Sequence, residues 1–162
     1  MTDDEEALRQ ILANAELVIE QFKGPSDLED FGFNEPSVEW VDGFIERQRT
    51  REGIGPEFVD RLANVLGCFL GECIIRCYGG RWARGDDGWR VEFNEKNAAY
   101  PFAKVGKQFA NGSEDSVHAF FTAIPIVFHF QRPPGPQNSQ PMQRSVVANW
   151  FSRIRTLFGP GR

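Results

Sequence analysis

Acidic side chains stop at Asp115: the 47 residues beyond it carry five arginines and neither Asp nor Glu. Histidine is confined to His118 and His129, and neither stands in an H-E-x-x-H frame, so the usual signature of a zinc hydrolase is missing. There is no G-x-S-x-G, which removes the nucleophile elbow of the hydrolases. There is no G-x-G-x-x-G or G-x4-G-K-[ST] either, so no dinucleotide or nucleoside-triphosphate phosphate loop is present. Cysteine is limited to Cys68, Cys73 and Cys77, an odd number crowded into ten residues, which argues against a disulfide framework and for a reducing cytosol. No apolar run reaches the roughly 20 residues that cross a bilayer. The start, "MTDDEEAL", is acidic where a signal or transit peptide opens basic. No segment repeats another.

What is there suits one globular domain. The chain has 162 residues, 41% of them hydrophobic, with fifteen Phe and four Trp, enough to fill a core and too apolar for a disordered chain. The net charge of −5 conceals a gradient: residues 1–60 carry −11, residues 61–115 carry +1, and residues 116–162 carry +5. An acidic first half argues against a general nucleic-acid binder. The basic last block can meet an acidic partner, an anionic membrane surface or the protein's own acidic face.

Along the chain, Thr2 and Glu5 form a capping-box pattern, and Leu8, Ile11, Leu12, Ala15, Val18, Ile19 and Phe22 recur at helical spacing until Gly24-Pro25. Ser37 is the expected cap of a second helix with Trp40, Val41, Phe44 and Ile45 inside and a solvated tail, "ERQRTRE". Gly53 and Gly55 break the chain, and Pro56 suits the first turn of a third helix that runs to about Tyr78 and ends at Gly79-Gly80. "RWAR", "WRVEF" and "AAYPF", separated by "GDDG" and "NEKN", predict a three-stranded antiparallel meander with Trp89, Val91 and Phe93 on its buried face. Phe102 to Ala110 follows as a short basic helix, and Ser113 is expected to start the next, whose apolar run Pro125 kinks or ends. "QRPPGPQNSQP" reads as a linker. Beyond it Val146, Val147, Trp150, Phe151, Ile154, Leu157 and Phe158 share one face of an amphipathic helix. The expectation is therefore α+β: residues 1–131 as a single domain with N-terminal helices, a small antiparallel meander and further helices, 132–143 as a Pro-rich linker, and 144–162 as a separate amphipathic helix.

Few residues suggest chemistry. Glu72 and Arg76 sit four apart on a mostly apolar helix, and they read either as a structural ion pair or as the charged pair of a pocket. Cys68, Cys73 and Cys77 fit core packing better than a metal or redox site, because cysteines on one continuous helix cannot close a tetrahedron. Gly67 and Gly71, at G-x3-G spacing, imply a close neighbour more than a ligand groove. Lys104 and Lys107, with Arg81, Arg84 and Arg90, form either a solvated basic edge or an anion site. Trp150, Phe151 and Ile154 are the candidates for docking by the last helix, which alternatively packs on the body or lies on a membrane surface. No catalytic residue stands out, and neither metal nor cofactor is expected.

The run "LGCFLGECIIRCYGGRW", followed by "GWRVEF", "YPFAKVGKQFANG" and "EDSVHAFF", resembles a layout of small bacterial proteins of unknown function. In that layout an LG-x-x-LGE helix, a GG-x-W strand, a PF-x-KV-x-K helix and a DS-x-x-F helix follow in order; here the last has one residue more, with Phe120 four positions after Ser116. The resemblance spans about residues 40–128 and implies an uncharacterised cytoplasmic domain, some relatives of which are immunity proteins of toxin systems; it carries over no catalytic residue. The leading expectation is a non-enzymatic protein-binding domain, of the kind that neutralises a basic toxin through an acidic surface. The alternatives are a small enzyme or ligand-binding domain using Glu72 and Arg76, and an adaptor or cargo protein docking through residues 144–158.

Overall fold

The computed structural model describes residues 2–128. Three helices come first: α1 (Asp3–Phe22), α2 (Glu35–Arg49) and α3 (Pro56–Tyr78). Strands β1 (Arg81–Gly85), β2 (Gly88–Asn94) and β3 (Asn97–Ala99) follow, then α4 (Pro101–Asn111), a 3-10 turn (Gly112–Asp115) and α5 (Val117–Val127). The sheet is a meander of order β1-β2-β3, antiparallel throughout. This is the α+β arrangement the sequence predicts. The stretch read as the Pro-rich linker and the amphipathic helix, residues 132–162, lies outside the described residues.

Local chemistry accounts for most boundaries. Both halves of the capping box are made: the Thr2 hydroxyl accepts from the Glu5 amide, and the Glu5 carboxylate accepts from the Thr2 amide. Pro56 opens α3, and Gly79 closes it at a φ of 90°, a conformation that favours glycine. Two caps differ from expectation. Asn34, not Ser37, caps α2; its side chain accepts from both the amide and the hydroxyl of Ser37. Ser37 is buried at the third helical position, where its hydroxyl accepts from the Gly32 amide and so ties down the preceding loop. Likewise Ser116, not Ser113, caps α5, with its hydroxyl accepting from the Ala119 amide. The Gly112–Asp115 turn takes up the residues between. Pro125 lies inside α5, which ends two residues later at Val127.

A main apolar core runs through the molecule, and a second, small cluster of Ile11, Ala15 and Cys68 lies beside it. Phe22, Phe31, Trp40 and Phe44 form an aromatic cluster where α1 meets α2, and Phe31 stacks on Phe69 of α3. α3 is the central element: Leu62, Val65, Leu66, Phe69, Cys73 and Ile74 are buried along it. The two α3 glycines mark close approaches. A Cβ on Gly67 would stand 2.4 Å from the Phe102 ring and 3.0 Å from the Phe102 Cα, and one on Gly71 would stand 2.1 Å from the Trp82 ring. α4 and the sheet thus reach α3 through its missing side chains.

The tail of α2 is less solvated than its sequence suggests. Gln48 is buried, and the Arg47 guanidinium lies 5.5 Å from the centre of the Trp40 ring. Burial lowers the Arg47 pKa from its ordinary value. The Arg47 guanidinium is itself drawn inward, its Nε and Nη2 buried beside the Trp40 ring, which a reading of charge alone does not anticipate.

Candidate functional site

Where α1, α3, the β1–β2 turn and the start of α4 converge, they leave an open groove of about 450 Å³. Helical spacing aims Ala7, Gln10, Ile11 and Asn14 of α1 into it, and Asn64 and Cys68 of α3 face them. The two-residue turn Asp86-Asp87 supplies the opposite wall. Gly85 pairs with Gly88, and the φ of 99° at Gly88 lets the hairpin close, bringing Asp87 and Trp89 to the groove. Tyr100, Phe102 and Ala103 complete it. Phe102 sits there because Gly67 lets α4 lie directly on α3.

The groove is lined by aromatic rings and amides. Gln10 Nε2 donates to Asn14 Oδ1 at 3.1 Å, and Asn14 Nδ2 faces Cys68 Sγ at 4.0 Å. Asp87 is the acidic residue among the described lining residues, and Tyr100 is 44% exposed. Asp3 and Asp60 are exposed one helical turn from Ala7 and Asn64, Glu6 is paired with Arg9 at 2.7 Å, and Lys107 is exposed one turn from Ala103. Such walls can hold an apolar or planar group and hydrogen-bond its polar edges.

Cys68 lines this groove as a neutral thiol. Burial pushes its pKa up to about 12, against a smaller opposite pull from the Asn14 amide. Cys73 is pushed well above its ordinary value, and Cys77 upward, also by burial. The folded state holds these protons longer than the unfolded chain does. Stability is therefore complete below about pH 8.5, the ordinary thiol value, and declines as pH rises towards the folded pKa values. We expect urea melts to show this loss between pH 9 and 12, with a shallower slope in Cys68→Ala. We also expect alkylation at pH 8 to reach the half-buried Cys77 first. Rapid labelling of Cys68 in the folded protein, read by mass spectrometry, would contradict this account.

Glu72 and Arg76 lie elsewhere, at the junction of α3 and β1. The Glu72 side chain is 6% exposed and that of Arg76 52%. Glu72 Oε2 accepts from Arg76 Nε at 3.1 Å, and Glu72 Oε1 accepts from the Trp82 indole at 2.9 Å. Arg76 also covers the Phe33 ring at 4.1 Å and approaches Glu16 at 3.9 Å. Neither residue lines the groove. Sequence spacing reveals the ion pair but not Trp82, whose ring fills the space over Gly71 and whose N–H completes the buried carboxylate.

The basic residues do not form one patch. Arg81 and Arg90 both bind Glu92, whose pKa is lowered by the Arg90 hydrogen bond and then by that of Arg81. Arg84 pairs with Asp4 at 2.6 Å. Lys104 pairs with Asp115 at 3.0 Å and lies over Phe120, while Lys107 is exposed. Asp42, Ser116 and His118 converge, but as a cap: Asp42 accepts from the Ser116 hydroxyl and the His118 amide, and the His118 ring turns to Glu35 at 3.4 Å. Trp150, Phe151 and Ile154 lie outside the described residues. Among the described residues no group of three or more His, Cys, Asp or Glu is placed to hold a metal ion, and no helix is long and apolar enough to cross a membrane.

No protein-family model, no curated protein and no solved structure matches this chain. The ordered motifs around Gly67, Trp82, Lys104 and Phe120 therefore stand as a likeness of sequence pattern.

Proposed function

We propose that this chain is a protein-binding domain whose groove captures a basic segment of a partner protein carrying an aromatic or aliphatic anchor. The observation that carries the reading is the groove itself: Trp89, Tyr100 and Phe102 form apolar walls, Gln10, Asn14 and Asn64 offer amides, and the charged lining residue is Asp87. Aromatic side chains in a concavity with a polar rim are the usual anchors of protein recognition. The exposed acids nearby raise the rate of encounter with a cationic partner. Neutralisation of a basic toxin, the role implied by the motif order, is the specific form this takes: the partner's cationic surface is covered and its activity blocked.

Trp89→Ala combined with Tyr100→Ala tests the reading. Tyr100 is exposed and Trp89 partly so, the latter packing on Ile11, Ala15 and Cys68, so folding of the variant is checked alongside binding. Wild-type protein immobilised against a lysate of its own host is expected to retain a basic protein, released as salt rises from 50 to 300 mM. The double variant, with an unchanged circular dichroism spectrum, is expected to retain at least tenfold less. Equal retention by both proteins would remove the groove from the function. For the toxin form, co-expression with the retained protein should restore growth with wild type and not with the variant.

A further inference from the structure

The groove and the chain's own C-terminal block are complementary in charge and in side-chain chemistry. The block from residue 116 onward holds five arginines and no acid, while the groove's acidic lining residue is Asp87, with Asp3 and Asp60 exposed one helical turn from the lining residues Ala7 and Asn64. Within that block Val147, Trp150, Phe151 and Ile154 stand at i, i+3, i+4 and i+7, the spacing with which an amphipathic helix lays anchors into an apolar groove. Arg153 and Arg155 flank those anchors. The chain can also reach. The Phe128 ring packs against Phe93 of β2 at 5.0 Å. Trp89 lies four residues back on the same face of that strand, about 13 Å away. Residues 129–146 intervene before the first anchor, and at about 3.1 Å per residue in a Pro-rich chain they span on the order of 50 Å.

We propose that the segment 147–154 of this chain is the groove's occupant in cis, its apolar anchors matching the aromatic lining and its arginines matching Asp87. This rests on the preceding reading, that the groove takes basic segments with apolar anchors, and adds regulation to it: the tail is a tethered competitor that a partner must displace. A tethered segment acts at a high effective concentration, so even a weak contact holds the groove closed to weak ligands.

The test uses the full chain, wild type and Trp150→Ala/Phe151→Ala, and follows the Trp89 indole and Asn14 side-chain amide resonances by NMR. The substitutions are expected to move both resonances, and a synthetic peptide of residues 144–158 added to the variant should return them towards their wild-type positions. The same peptide should bind the wild-type chain about tenfold more weakly than the variant, because the tail competes. Unmoved groove resonances in the variant would overturn the proposal, as would equal peptide affinity for both proteins. Wild-type shifts that change on tenfold dilution would also overturn it, by showing a second copy in the groove. If these resonances do not move while the groove variant still loses its partner, the tail proposal falls and the binding function stands.

Discussion

Trp82→Ala is expected to lower the unfolding free energy by about 4 kcal/mol, the range for deleting a large aromatic side chain from a packed interior. Three consequences combine. The ring lies in the space that Gly71 leaves on α3, so its removal opens a cavity between helix and sheet. It also contacts Phe102 at 5.7 Å and so supports the wall of the groove. Its N–H is a partner of the buried Glu72 carboxylate, whose second oxygen keeps only Arg76. Urea denaturation measures the total, and Trp82→Phe separates the parts. Phenylalanine restores most of the volume, so its cost of about 1–2 kcal/mol reports the lost hydrogen bond. Combined with Glu72→Gln, the pair should couple by at least about 1 kcal/mol in a double-mutant cycle. A loss below about 2 kcal/mol for Trp82→Ala would mean that the sheet does not depend on this wedge.

The second large effect is expected at Gln108, fully buried where α2, α4 and α5 meet. Its Nε2 donates to the Asp42 carbonyl at 3.3 Å and to Glu46 Oε1 at 3.1 Å, and its Oε1 accepts from the Val117 amide at 2.9 Å. Val117 begins α5, where an amide has no partner within the helix. Gln108→Leu keeps the volume and removes all three bonds, leaving that amide buried and unpaired at a cost of about 2–3 kcal/mol. Gln108→Glu keeps the acceptor but sets a carboxyl against Glu46. Its damage should grow as pH rises above about 4.3, where the carboxyl ionises in the unfolded chain while burial and Glu46 keep it protonated in the fold. Melting temperatures at pH 4 and pH 7 distinguish the two. Equal loss for Gln108→Glu at both pH values would contradict the burial of this side chain.

The framework was legible because its signals are local. Thr2 with Glu5, Pro56, Gly79-Gly80 and the Gly-Asp-Asp-Gly turn act through neighbours in sequence, and each sits where that chemistry requires. The misplaced caps show the limit of the same logic. Asn34 and Ser37 are both good caps three residues apart, as are Ser113 and Ser116, and position alone does not choose between them. Pro36 in the first turn of α2 was the clue that the helix begins before Ser37. Gly67 and Gly71 announced close packing without naming Phe102 and Trp82, which arrive from 35 and 11 residues further along. The groove was not legible for the same reason. Ala7, Asn64, Asp87 and Phe102 become neighbours only when separate elements pack, and no spacing along the chain records that.

Trp82 also bears on how the molecule comes apart. A three-stranded meander whose last strand is Asn97–Ala99 has little cooperativity of its own. Its buried face, Trp82 and Val91, closes against α3, with Val91 fully sequestered. The sheet and the central helix are therefore expected to open as one foldon, the amides of the central strand β2 exchanging together with those of the α3 core.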